Sequence, residues 1–173
     1  MARIRKGISY RRLERPYTRI SKYKKKAYIK ANPAKKIVRF NMGDSKKKFE
    51  YTLFLKARHG LQIRDNALES ARQSSNRILE ALGPGSYFMR VRVYPFHILR
   101  ENPLATGAGA DRFSTGMQKS FGKPIGNAAQ VQANQTIVEV SVNEQHLGVA
   151  KEALTRVTHK IPCSCIIEVQ KNI

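Results

Sequence analysis

Few residues in this chain are of a type and spacing that could do covalent chemistry. His159, Cys163 and Cys165 stand close enough in sequence to invite a metal-site reading. Cys163 and Cys165 alternate with Ile167 and Val169, however, as in a strand that turns one face to a core, and no second Cys-x-x-Cys supplies the missing ligands. They read as small buried thiols, and no metal site is expected. The four histidines have no Ser or Cys partner at a spacing that would make a nucleophilic pair. The 12 Asp and Glu mostly share helix faces with basic residues, which is a surface pattern, whereas acid–base catalysis needs two carboxylates in one apolar cleft. Gly107-x-Gly109 lacks the third glycine, the preceding strand and the following helix of a dinucleotide site, and no Gly-Lys-Ser/Thr is present for a phosphate loop. With no catalytic set, no cofactor and no small-molecule substrate in view, the chain is not expected to be an enzyme.

Its chemistry is that of binding. The net charge is +21 over 173 residues, and a compact fold with that charge repels itself unless a polyanion neutralises it. Nucleic acid fits, because each phosphate met by Lys or Arg releases counterions. A membrane does not: no apolar run approaches the ~20 residues needed to span a bilayer, and no apolar signal core follows the N-terminal charges. Two cysteines are no disulfide framework, so a reducing cytoplasm is expected.

The charge is concentrated at one end. The first 50 residues hold 18 of the 33 Lys and Arg but only three acids, Glu14, Asp44 and Glu50. Tyr10, Tyr17, Tyr23 and Tyr28 interleave with the basic residues up to about Pro33, where no helical or strand period survives. Tyrosines can stack on bases or riboses while Lys and Arg meet phosphates. Residues 1–34 therefore read as an RNA-docking arm, poorly ordered alone. Its contact set is Arg3, Arg5, Lys6, Arg11, Arg12, Arg15, Tyr17, Arg19, Lys22, Tyr23, Lys24 and Lys25. DNA is less favoured, since no helix gathers several basic residues on one face suited to the major groove.

Residues 35–173 read as a single domain that must position these groups. Lys36–Phe40 is a candidate strand, Asn41–Asp44 a turn, and Phe49–Ala57 a strand with Phe49, Tyr51, Leu53 and Leu55 on one face. Asn66 caps a helix, with Glu69 completing a capping box; Leu68, Ala71, Ser75, Ile78, Leu79 and Leu82 form its buried stripe before Gly83-Pro84 ends it. In Ser86–Tyr94, Tyr87, Met89, Val91 and Val93 share one face, while Phe88, Arg90, Arg92 and Tyr94 share the other. The first face suits the core, and the second adds arginines framed by aromatics to the basic surface. Thr136–Val142 is a strand, Asn143 caps a helix from Glu144 to about His159 with the stripe Leu147, Ala150, Leu154 and Val157, and Cys163–Val169 is a last strand. The fold class is α+β: a mixed sheet with two helices packed on one side.

Between the two arginine-bearing and Thr136 strands runs Pro95–Pro124, PFHILRENPLATGAGADRFSTGMQKSFGKP, rich in glycine and without period. Loops longer than ~12–15 residues in compact domains are usually functional or disordered. This one leans positive and reads as a probe held out toward an anion. His97 at its start is packed or RNA-facing, and Lys119 and Lys123 offer further RNA contacts.

The run Met89–Pro124 resembles the signature of the large-subunit ribosomal protein family called L-ten-e in archaea and eukaryotes and L-sixteen in bacteria. The resemblance is most specific in Gly109-Ala110-Asp111-Arg112, Thr115-Gly116-Met117 and Phe121-Gly122-Lys123-Pro124, and extends to the Tyr-rich basic N-terminus, the helix near residue 70, Arg90-Val91-Arg92 and Pro95-Phe96-His97. Pro162–Ile173 matches the archaeal form better than the longer eukaryotic one. What it implies is an α/β-hammerhead fold and a structural protein of the large ribosomal subunit. On that footing the arm, Arg90, Arg92, His97, Lys119 and Lys123 would bind large-subunit rRNA near the peptidyl transferase centre. The loop matching residues 101–117, with Gly107, Gly109, Asp111, Arg112, Thr115 and Gly116, would face the tRNA acceptor arm. Neighbouring ribosomal proteins and assembly factors would be the other partners, in the cytoplasm. The alternatives are a free RNA-binding or tRNA/rRNA-modifying protein, with His97 or Asp111 as an acid–base residue, and, more weakly, a DNA packer.

Overall fold

Alternation in three segments builds the larger of two sheets. The computed structural model describes residues 5–18, 23, 25, 29, 31–102 and 122–172. Strand β2 (Tyr51–Ala57) pairs antiparallel with β7 (Thr136–Val142) so that Leu53 faces Val140 and Leu55 faces Val138. On the far side of β7, β4 (Tyr87–Val91) sets Met89 beside the same Val140 and Val91 beside Val138. Side chains alternate along each strand, so one register places every one of these on the same face. Strands β1 (Asn41–Gly43) and β8 (Cys165–Lys171) close the edges, giving the order β1-β4-β7-β2-β8.

Two α-helices among the described residues cover that apolar face. Helix α1 (Asp65–Glu80) turns Leu68, Ala71, Ser75 and Leu79 inward, and α2 (Leu147–Thr158) turns Ala150, Ala153, Leu154 and Val157 inward. The two helices pack on each other and on the sheet around a core in which Leu53, Leu55, Met89, Val140 and Leu154 are sealed from solvent. The α+β class with two helices holds. The strand pairings differ from the single mixed sheet expected: among the described residues every pairing is antiparallel, and β3 (Leu61–Arg64), β6 (Lys123–Val131) and β5 (His97–Glu101) make a second sheet in the order β3-β6-β5.

Local departures have local causes. Residues 41–43 form a strand where a turn was expected, and 36–40 are not strand; Gly43 permits this with φ +80 where a Cβ would lie 2.2 Å from the Tyr87 carbonyl oxygen. Asn66 does not cap α1, and Glu69 does not close a capping box. Glu69 instead accepts from Arg72 and Gln73, while the Asp65 carboxylate accepts the backbone N–H groups of Asn66 and Lys36 at 2.8 and 3.0 Å. That second bond ties the segment before β1 to the helix. The side chain of Asn143 makes no cap either: Glu144–His146 is a 3-10 turn, and the Glu144 N–H is taken by the carboxylate of Glu50 at 3.0 Å. Strand β8 starts at Cys165, two residues later than expected, so Cys163 sits in the bend before it and Val169 lies exposed near the end of an edge strand.

Candidate nucleic-acid interface

The smaller sheet carries polar side chains where a sheet face would ordinarily be apolar or wet. Gln62 on β3 and His97 on β5 are each only 2% exposed, and Gln130 on β6 stands opposite Gln62 in register. Burying such groups is costly unless each finds a partner, and the N-terminal segment supplies the partners. Gln62 donates its side-chain N–H to the Tyr10 carbonyl at 3.0 Å and its backbone N–H to the Arg11 carbonyl at 2.9 Å. Gln130 donates to the Glu14 carbonyl at 2.8 Å. The Tyr17 N–H donates to His97 Nδ1 at 2.9 Å, and the Ile98 N–H to the Tyr17 carbonyl at 3.2 Å. Residues 10–17 thus cross the sheet as a strap, from β3 over β6 to β5.

Side chains fasten the same strap. Tyr10 packs on Leu99 and Ala128 and donates its hydroxyl to Glu101 at 2.6 Å, while Arg5 pairs with the other oxygen of that carboxylate at 2.9 Å. Burial, then the bond to Glu101, push the Tyr10 phenol up to about 12. The Arg64 guanidinium lies 5.5 Å from the Tyr10 ring centre and bonds the Arg5 carbonyl. The Arg100 guanidinium stacks 4.0 Å from that of Tyr17, next to a register shift between Leu99 and Arg100 in the β5–β6 pairing. Accepting the Tyr17 N–H requires an unprotonated Nδ1 on His97, and burial holds this ring below the usual histidine range, with Glu14 opposing and Arg100 adding to the effect. His97 is therefore an internal fastener and presents no surface to RNA, the packed half of what the sequence allowed.

With fastening done by backbone, tyrosine, glutamine and the Arg5–Glu101 pair, the other described cations of residues 5–17 stay outside. Lys6, Arg11, Arg12 and Arg15 are exposed, and their side chains make no hydrogen bond or ion pair among the described residues. An unpaired, solvated guanidinium on a fixed backbone loses little on meeting a phosphate. Tyr23 and Lys25 are also exposed. Arg3, Arg19, Lys22 and Lys24 lie outside the described residues.

A second cationic surface lies on the face of the larger sheet away from the helices. Arg90 is exposed there, and Arg92 reaches Glu139 at 3.0 Å with its own side chain 48% exposed. Tyr94 is 51% exposed, packs its ring 5.6 Å from that of Phe40, and holds Lys35 Nζ 5.4 Å from its centre. Cation and aromatic side by side match the face predicted from Phe88, Arg90, Arg92 and Tyr94.

The irregular stretch from Pro95 is shorter than expected, because β5 and β6 form a hairpin at its base. Glu101 pairs with Lys123, and Gly122 sits at φ +74, where a Cβ would fall 3.0 Å from the Glu101 backbone. Lys123 is exposed at this root. Gly107, Gly109, Asp111, Arg112, Thr115, Gly116 and Lys119 lie outside the described residues. A cleft of about 270 Å³ opens between the strap and β5, lined among others by Arg5, Tyr10, His97 and Glu101. Two of the groups lining it are committed to structural bonds, Glu101 to Arg5 and Tyr10 and His97 to the Tyr17 N–H. Among the described residues no three His, Cys, Asp or Glu gather to hold a metal ion, and no helix is long and apolar enough to cross a membrane.

Buried Gln62 and the small residues Gly126, Ala128 and Ala129 of β6 escaped sequence reasoning. The usable signal was a glutamine between two aliphatics in Leu61-Gln62-Ile63, which marks a strand covered on both faces.

Comparison with known proteins agrees over almost the whole chain. The model of the family described as ribosomal protein L16p/L10e matches residues 18–168. The large ribosomal subunit protein uL16 of Archaeoglobus fulgidus is 44% identical over 163 residues, 94% of this chain and 90% of the relative. The protein of the same name from Methanococcus maripaludis is 43% identical over 169 residues, 97% and 95% of the two chains.

Proposed function

This chain belongs to the ribosomal protein L16p/L10e family and is a structural constituent of the large ribosomal subunit, and we propose that it holds large-subunit rRNA with two cationic surfaces, the strap and the Arg90–Tyr94 face. The observation that carries the reading is the division of labour in the strap. Of the described cations among residues 5–17, Arg5 is the one paired with the sheet, so Lys6, Arg11, Arg12 and Arg15 are fixed in place with their charges unspent. Arg90, Lys35 and Tyr94 repeat the combination of phosphate contact and stacking platform. The remaining arm cations Arg3, Arg19, Lys22, Lys24 and Lys25, with Tyr23, extend the first surface, and Lys119 and Lys123 flank the loop. The site is near the peptidyl transferase centre, and the loop 101–117 faces the tRNA acceptor arm. Neighbouring ribosomal proteins and assembly factors are its further partners, all in the cytoplasm. The protein works by contact and positioning: His97 and Glu101, in the cleft beside the strap, are tied up in structural bonds, which counts against a modifying enzyme built on His97.

Binding to large-subunit rRNA measured against salt tests the cationic surface. Arg11, Arg12 and Arg15 changed together to Ala should lower the slope of log K against log salt by about three, roughly one per lost phosphate contact. Lys151→Ala on the exposed side of α2 should leave it unchanged. An unaltered slope in the triple variant sinks the strap as an interface. Deleting residues 103–114 should leave subunits assembled but poor in tRNA binding or peptide transfer, and normal translation would refute the loop assignment.

A further inference from the structure

The two cysteines, read from sequence as inert core thiols, are placed by the fold in a more reactive relation. Cys163 lies in the bend that follows α2, and Cys165 is the first residue of β8, opposite Ala57 at the end of the larger sheet. Both are half-buried against the rim of the core, both carry free thiols, and their Sγ atoms are 3.6 Å apart. A disulfide needs about 2.05 Å. The remaining approach is of the size that side-chain rotation supplies, and one partner sits in a bend rather than in a ladder.

We propose that Cys163 and Cys165 are a redox site, which closes to an intramolecular disulfide by exchange with a low-molecular-weight disulfide and is reopened by a dithiol. The roles of the two sulfurs follow from their surroundings. The contact between the two sulfurs holds the Cys163 thiol below its ordinary range even though burial opposes this. The same contact, and burial, push Cys165 up. Cys163 is then the attacking thiolate. It displaces one thiolate from the small disulfide and keeps the other half as a mixed disulfide. Cys165 gives up its proton, attacks the Cys163 sulfur and expels the second half. Two protein thiols are oxidised, one small disulfide is reduced to two small thiols, and no other reactant is needed. The ring spans only Ser164, so the bond adds little chain entropy and carries strain, the properties of a labile switch and not of a structural crosslink. None of this depends on the ribosomal role.

The test is incubation of the purified full chain with oxidised glutathione, followed by intact mass and thiol titration. The wild type should lose two hydrogen masses and both titratable thiols, and regain them with dithiothreitol. Cys165→Ser should stop at the glutathione adduct on Cys163, and Cys163→Ser at the adduct on Cys165. Retention of both thiols, a stable adduct on the wild type, or a disulfide-linked dimer would each overturn the proposal.

Discussion

Alkaline pH should loosen the strap through a single hydroxyl. The Tyr10 phenol, packed against Leu99 and Ala128, donates to Glu101 at 2.6 Å. Burial first, then the hydrogen bond to Glu101 and its charge, raise its pKa from 10.0 to about 12, against the opposing pull of Arg5 and Arg64. A pKa raised by folding means that the folded state holds the proton more tightly. The stabilisation is therefore complete below pH 10 and is lost as pH rises through about 12. At about 1.36 kcal/mol per pH unit, the rise from 10.0 to about 12 bounds it at roughly 2.7 kcal/mol. That agrees with the ~1.5–3 kcal/mol of a hydrogen bond to a charged group. Tyr10→Phe keeps the ring and removes the hydroxyl. In urea unfolding at pH 9 the variant should fall about 2 kcal/mol below the wild type, and the gap should close between pH 10 and 12. Titration of the lysines and other tyrosines acts on both proteins and cancels in the difference. No gap at pH 9, or a gap that persists unchanged to pH 12, would refute the argument.

At the other end of the strap the sign reverses. His97 is held below 6.5 in the folded state, so its contribution is present above that pH and is lost as pH falls toward the folded value; the Tyr17 amide should lose its exchange protection together with His97 protonation, as seen by NMR. Gly122→Ala forces a side chain into φ +74 against the Glu101 backbone; a cost of about 1–2 kcal/mol should lower Tm by roughly 2–8 °C in a thermal melt. Leu154→Ala empties a sealed position between α2 and the sheet, and should cost about 3 kcal/mol by urea denaturation, with an unchanged midpoint counting against the core described.

What could be read from the sequence was whatever obeys one period against one partner. Thr136–Val142 alternates between a core face and an open face, and its bounds match the strand found. Leu68, Ala71, Ser75 and Leu79 repeat at helical spacing because one stripe meets one sheet. Leu61–Arg64 shows no alternation, since the core covers one side and the strap the other, so Leu61, Gln62 and Ile63 are all buried. In β6 the run Gly126-Asn127-Ala128-Ala129 looks like loop because it is small, yet it is strand, and Ala128 is where Tyr10 packs. The exposed cations and their aromatic neighbours were legible as types. Their fixing to a sheet was not, because it is done by backbone carbonyls that carry no residue identity.

The strap also fixes an order of events in time. Its bonds join residues 52, 116 and 80 positions apart, and each partner is synthesised after the strap itself. At about 5–20 residues per second, roughly 6–23 s separate the appearance of Glu14 from that of Gln130. Through that interval the most highly charged segment of the chain has no sheet to lie on. Long-range closures of this kind are also slow steps in folding. The strap is made before every strand that seats it, and its cations are open to any polyanion until the last of those strands arrives.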